Sequence, residues 1–134
     1  YNLDRIEKLP NDIVRKYFLK GRGKNEGSVL VRPELRNLIH FESLNLLEDR
    51  WALNGEFDVI FCRNVMIYFD KPTQSSILKK FVPLLKSDGL LFAGHSENFL
   101  YVSDDFKLRG KTVYVLASKE EKSKKSSSYD LNKG

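Results

Sequence analysis

The chain has 134 residues with 41% hydrophobic content, enough for one modest core and not for two. Its 23 Lys and Arg stand against 18 Asp and Glu, but five of the lysines fall between Lys119 and Lys133, so the rest is close to balanced. Nucleic-acid binding through basic charge gains nothing from this pattern, because no aromatic and basic residues interleave upstream of that run. A single cysteine, Cys62, excludes a disulfide framework and fits a reducing compartment. No apolar run approaches the roughly 18 residues of a membrane span and the start carries no signal-peptide pattern, so the expectation is a soluble, cytoplasmic protein without membrane insertion.

In chain order, residues 2–19 read as helical, with Asn11 or Asp12 capping a segment whose Ile13, Val14, Tyr17 and Phe18 form one apolar stripe. The polar segment Lys20–Ser28 holds Gly21, Gly23 and Gly27 and is followed by the alternating Val29-Leu30-Val31-Arg32. Glycines at this density require unusual backbone angles or close approach, and a tight hairpin follows. A phosphate loop is disfavoured, since no Gly-Lys-Ser/Thr ending is present. Leu38–Leu47 reads as a short strand, over Leu38 to Phe41, running out into a loop that Trp51 and the Asn54-Gly55 turn close. His40 has no cluster of Cys, His and carboxylates near it in sequence, so a packed or half-exposed strand residue is preferred to a metal ligand.

Phe57–Cys62 is apolar at nearly every position and stops at Arg63-Asn64, which reads as a central parallel strand covered on both faces. Asp70 suits an N-cap and Pro72 the first turn of a helix in which Ile77, Leu78, Phe81, Leu84 and Leu85 recur at helical spacing. Gly89 then frees the chain to begin a second apolar run, Leu90–Ala93. Strand, crossover and strand make the unit of a doubly wound α/β sheet, whose ligands lie outside the carboxyl ends of its strands. Arg63, Asn64 and the small polar segment Gly94–Asn98 occupy such ends. The adjacent His95 and Ser96 do not make a nucleophile pair, because neighbours seldom face each other and no third group is identifiable. Phe106–Ala117 is a β-hairpin around Gly110-Lys111, and 118–134, rich in Lys, Ser and Glu, reads as a disordered basic tail.

Three runs say more than their periodicity. Phe61-Cys62-Arg63-Asn64-Val65-Met66-Ile67-Tyr68-Phe69-Asp70, Phe81-Val82-Pro83-Leu84-Leu85-Lys86 and Asp88–Phe99 (Asp-Gly-Leu-Leu-Phe-Ala-Gly-His-Ser-Glu-Asn-Phe) closely resemble the CheR family, the S-adenosylmethionine-dependent chemotaxis receptor methyltransferases. The resemblance extends through Gly21-x-Gly23-x-x-x-Gly27, Ser43–Glu48 and Leu108–Tyr114, and so covers residues 1–117. It implies methyl transfer from S-adenosylmethionine to glutamate carboxylates of chemoreceptors, with S-adenosylhomocysteine as product and no metal. It implies a Rossmann-like methyltransferase sheet with a small antiparallel β-subdomain inserted at 20–37 and a C-terminal β-hairpin.

By the same resemblance Asn45, Leu46, Arg63 and Asn64 contact the cofactor, and Tyr68 and Arg63 face the reacting centre. The residue pattern alone would make Tyr68 a core aromatic. Gly21, Gly23, Gly27 and Arg32 match the element with which some family members dock a receptor's C-terminal peptide by strand addition. Leu30 departs from the arginine expected there and removes a partner for an acidic peptide residue. The alternative to catalysis is thus a receptor-tail binding module. Finally, the resemblance implies that a helical domain, a glycine-rich cofactor loop after a first strand and an acidic residue after a second lie upstream of Tyr1. Those two strands would insert between Leu38–Phe41 and Phe57–Cys62. The resulting expectation is a C-terminal fragment, inactive alone, that covers bare strand edges by dimerising or swapping strands.

Overall fold

A computed structural model describes residues 1–118. The expected tail lies outside the described residues except for Ser118. The chain forms two compact units, Tyr1–Ser43 and a second beginning at Leu44.

In the first unit the expected helix over 2–19 is divided. Leu3–Ile6 is a 3-10 turn, α1 spans Asn11–Tyr17, and the chain extends into β1, Phe18–Lys20. Pro10 causes the division: it occupies the N-cap of α1, so neither Asn11 nor Asp12 caps the helix with a side chain. β1 pairs antiparallel with β2, Val29–Val31, in the register Phe18↔Val31, Leu19↔Leu30 and Lys20↔Val29. The glycines of the connection do different jobs. A Cβ on Gly21 would lie 2.0 Å from the Asn25 carbonyl oxygen, whereas Gly23 and Gly27 adopt φ +58° and +79°. The far side of β2 is also occupied, by Tyr1–Leu3, through Val29 N–H donating to Tyr1 O (2.8 Å) and Leu3 N–H donating to Gly27 O (2.9 Å). α2, Pro33–Arg36, follows. Leu38–Leu47 is not a strand: its backbone joins no sheet, and Leu38, Ile39 and Phe41 are exposed. A short apolar run forms a strand only where a partner edge accepts its backbone groups, and none among the described residues does.

The second unit is a four-stranded sheet in the order β3-β4-β6-β5, with β3 Phe57–Phe61, β4 Leu85–Phe92, β5 Phe106–Gly110 and β6 Val113–Leu116. β3 and β4 are parallel and joined by α3, Lys71–Phe81, while β4 with β6 and β5 with β6 are antiparallel. The β5–β6 hairpin is present as its sequence signal predicts. α3 starts as expected, Asp70 Oδ1 accepting the Thr73 N–H at 2.9 Å, and it buries Ile77, Leu78 and Phe81. It does not run on to Leu85: Pro83 tightens the end into a 3-10 turn over Val82–Leu84, and Leu85 opens β4. Gly89 lies within β4. The pairing jumps from Phe57↔Leu85 to Val59↔Leu90, and the extra residues form an irregularity in which a Gly89 Cβ would meet Leu85 Cδ1 at 2.7 Å.

The largest revision concerns β3. It is an edge strand among the described residues, and Phe57, Val59 and Phe61 are 40, 39 and 70% exposed instead of covered on both faces. Its continuous apolar run describes a strand built for burial that has one paired edge here. The core lies against α3, where Cys62, Met66, Leu91, Ala93, Phe99, Phe106 and Tyr114 join the helix's apolar stripe.

Candidate functional site

β3 and β4, being parallel, deliver their carboxyl ends side by side, and the loops that leave them, Arg63–Asp70 and Gly94–Asn98, are tied together. The tie is Glu97. Its buried carboxylate accepts the N–H groups of Asn64 (3.0 Å, Oε2), Val65 (3.1 Å, Oε1) and Met66 (2.8 Å, Oε1), and Oε2 also accepts Gly94 N–H. Three consecutive amides converge on one anion because Asn64 takes the left-handed conformation, φ +61°, which Asn tolerates better than most residues. Successive amides turned this way make an anion-binding concavity, filled here by the chain's own side chain. Gly94 is a necessity of this packing: a Cβ there would stand 2.5 Å from Asn64 Oδ1, 2.8 Å from Glu97 Oε2 and 3.0 Å from Asn64 N.

The acceptors of the same loop are met from α3. Gln74 Nε2 donates to Met66 O (2.8 Å) and Phe69 O (3.0 Å). Between these anchors Met66–Tyr68 forms a 3-10 turn that buries Met66 and leaves Tyr68 79% exposed, so Tyr68 is no core aromatic. Arg63 and Asn64 are also exposed. Cys62 is buried just before the turn. Loss of solvent, reinforced by the Glu97 charge, pushes its thiol up to about 11, so it is protonated and inert at neutral pH.

Asn45 and Leu46 lie on a separate loop. Asn45 Oδ1 accepts Leu47 N–H at 3.0 Å, closing an Asx turn, and Leu46 packs against the core cluster. Lys80 of α3 fixes this loop by donating to the carbonyls of Leu46 (3.0 Å) and Glu48. The Lys80 ammonium also stands 5.0 Å from the Trp51 ring, which packs on Phe81 at 5.3 Å. Arg63, Asn64 and Tyr68 thus share one turn, and Asn45 and Leu46 share another, each held by a side chain of α3.

Of the four hairpin residues, Gly21, Gly23 and Arg32 line one groove of about 600 Å³ with Phe18, Lys20 and Glu26. Gly27 is outside it and serves the backbone, its carbonyl accepting Leu3 N–H. Leu30, half exposed, lines a second groove of about 500 Å³ that shares Leu19–Arg22 with the first.

The sequence places Glu97 in the polar segment Gly94–Asn98 without singling it out, and does not single out Gln74 or Lys80. Gln74 was detectable, since it falls on the stripe of Ile77, Leu78 and Phe81, where a polar side chain needs partners. Glu97 was detectable as the one carboxylate in a run of small residues at a strand end. Nothing in the sequence marks Lys80. Among the described residues no group of three His, Cys, Asp or Glu is placed to hold a metal ion, and no helix is long and apolar enough to cross a membrane.

A parallel β-α-β unit with polar loops at its carboxyl edge belongs to the α/β class, in which ligands generally bind at that edge. Residues 1–115 match the family described as CheR methyltransferase, SAM binding domain, and the chain belongs to that family. That description names S-adenosylmethionine (SAM) as what the family's domain binds, and the similar proteins are named as methyltransferases of chemotaxis. Chemotaxis protein methyltransferases of Klebsiella aerogenes and Salmonella typhimurium are 62% identical over 90% of this chain and 56% identical over 87% of it. Chemotaxis protein methyltransferase 2 of Pseudomonas aeruginosa is 52% identical over 85%. In each case the chain spans 41% of the relative's length.

Proposed function

We propose that this chain is the C-terminal part of a protein-glutamate O-methyltransferase that transfers the methyl group of S-adenosylmethionine to glutamate side chains on the cytoplasmic domains of chemoreceptors. The observation that carries the reading is the turn at the end of β3, which presents Arg63, Asn64 and Tyr68 to solvent from a backbone tied at both ends. Identity of 52–62% to chemotaxis methyltransferases supports the reaction class. Coverage of 41% of their length, together with the exposed edge and face of β3, supports the view that further strands complete a doubly wound sheet.

The donor set suits the cofactor. Arg63 offers a guanidinium to its carboxylate, Asn45 a carboxamide to the adenine edge, Leu46 an apolar surface to the base and Asn64 a further amide. When bound, S-adenosylmethionine supplies a sulfonium-activated methyl group, which needs no general base because a glutamate near its ordinary pKa is already an anion at neutral pH. What is asked of the protein is positioning and partial removal of water. Arg63 and the Tyr68 hydroxyl hold the target carboxylate by charge-assisted hydrogen bonds, one oxygen directed at the methyl carbon. In the longer methyltransferase, Arg63→Ala and Tyr68→Phe each lower transfer of labelled methyl groups to receptor-containing membranes by tenfold or more. Unchanged transfer in both variants would remove these residues from the site.

A second reading rests on a different observation: β2 is flanked on both sides whereas the outer edge of β1 pairs with nothing among the described residues and lies beside the groove of Gly21, Gly23 and Arg32. We propose that a receptor tail adds a strand there. Anisotropy of a labelled receptor C-terminal peptide, titrated with the chain and with a Gly21→Val variant, tests it; equal binding by both would overturn it. The exposed edge of β3 is the surface through which a fragment would dimerise or exchange strands.

A further inference from the structure

The turn that carries Arg63, Asn64 and Tyr68 is closed by its own 3-10 hydrogen bonds, Tyr68 N–H to Val65 O and Phe69 N–H to Met66 O, and is also held from outside. Its N–H groups at Asn64, Val65 and Met66 are taken by Glu97, and its carbonyls at Met66 and Phe69 by Gln74. We infer that Glu97 and Gln74 are positioning residues for methyl transfer, setting the turn from opposite sides so that Arg63 and Tyr68 meet the acceptor carboxylate in one geometry. The inference rests on the role given to that turn above.

Three features separate this arrangement from ordinary closure of a sheet end. First, the group is a carboxylate at 7% exposure. Burying a charge is costly unless it is fully hydrogen-bonded, and apolar neighbours already fill this region without it. Second, a glutamine of the same size would present one acceptor and one donor. Its donor would confront an amide N–H, whereas both oxygens of the acid accept here. Third, the cost of the arrangement extends to Gly94, which must lack a Cβ for Glu97 Oε2 to sit where it does. Glu97, Gly94 and Asn64 therefore depend on one another, and the turn has two supports, Glu97 in the loop that follows β4 and Gln74 on α3. Displacing a reacting group by about 1 Å costs on the order of 10²-fold in rate. Loosening this turn should therefore be read in turnover before it is read in stability.

The test uses the longer methyltransferase containing this segment, with Glu97→Gln, Glu97→Ala and Gln74→Leu. Each variant is assayed at a temperature well below its own thermal midpoint. The expected result is a kcat lower by tenfold or more at saturating receptor and cofactor, with the KM for receptor held within about threefold. Formate should restore part of the rate in Glu97→Ala, since the three amides still form an anion site. Amide exchange at Asn64, Val65 and Met66 should accelerate in the same variants while that of β6 is unchanged. If the Glu97 variants do not fold, Gln74→Leu decides: a tenfold loss of kcat sustains the inference and a rate within twofold overturns it. Folded Glu97→Gln with wild-type kcat also overturns it, while leaving the site intact. Wild-type rates in Arg63→Ala and Tyr68→Phe would instead remove the site on which it rests.

Discussion

Substituting Gly94 by alanine places a methyl group 2.5 Å from Asn64 Oδ1, 2.8 Å from Glu97 Oε2 and 3.0 Å from Asn64 N. The Asn64 carboxamide is exposed and can turn away. The other two atoms cannot move so easily, because Glu97 is held by four amides and the Asn64 nitrogen is one of the four. Relief requires a shift of several tenths of an ångström that weakens one or two hydrogen bonds to a charged acceptor, each worth about 1.5–3 kcal/mol. The expected cost is about 2–4 kcal/mol, at the upper end of what single substitutions produce. Gly110→Ala is the internal control. It lies at the end of β5, a Cβ there meets nothing within 4 Å, and its φ is outside the left-handed region, so a change within about 0.5 kcal/mol follows. Urea unfolding followed by the fluorescence of Trp51, the single tryptophan, separates the two at unchanged denaturant slope. Equal midpoints for Gly94→Ala and Gly110→Ala would refute the packing argument.

Leu78→Ala removes a fully buried side chain from the interior face of α3 and should cost about 2–5 kcal/mol in the same assay. Cys62, with its thiol near 11 against an ordinary 9.0, should react with a disulfide reagent at pH 8 about 100-fold more slowly folded than in urea, since its thiolate fraction falls by that factor. Equal rates would contradict its burial. Because the folded state favours the protonated thiol, this contribution to stability is complete below about 9 and lost as pH rises towards about 11. Asp70 runs the other way. Hydrogen bonding from the Thr73 side chain, and then from its N–H, lowers the Asp70 carboxyl from the ordinary 3.8, so its contribution is complete above that value and lost as pH falls through the lowered one. The urea midpoints of the parent and Asp70→Ala should differ at pH 7 and draw together on acidification; a constant gap would refute the cap. Lys80→Met keeps the stem over Trp51 but withdraws the donor to Leu46 and Glu48. In the longer methyltransferase it should weaken binding of S-adenosylhomocysteine about tenfold by calorimetry, with the thermal midpoint little changed.

Local signals transferred to the structure where one element decided its own form. The cap at Asp70, the stripe on α3 and the β5–β6 hairpin each follow from adjacent residues. The glycine segment does join an antiparallel pair, but residues 21–28 make a long connection with its own 3-10 turn instead of a tight one, and β1 begins at Phe18, inside the expected helix. Signals failed where a partner outside the segment decides. Leu38–Phe41 has the composition of a strand and no edge to join, and Phe57–Cys62 has the composition of a central strand and occupies an edge. Pro10 and Pro83 carried information that apolar periodicity overrode, dividing one helix and shortening another. At the proposed site, Arg63, Asn64 and Tyr68 were marked through the resemblance of a motif. The side chains that hold them were not, because a hydrogen bond between Glu97 and residue 64, thirty-three positions apart, leaves no local pattern.

The central claim is that Asn45, Leu46, Arg63 and Asn64 form one part of a cofactor site completed by residues of a longer methyltransferase. Calorimetric titration of S-adenosylhomocysteine into this chain, beside the same titration of the longer protein, tests it most directly. The account predicts saturable binding by the longer protein and none by the chain at the same concentrations. Binding of comparable affinity by the chain alone would contradict it.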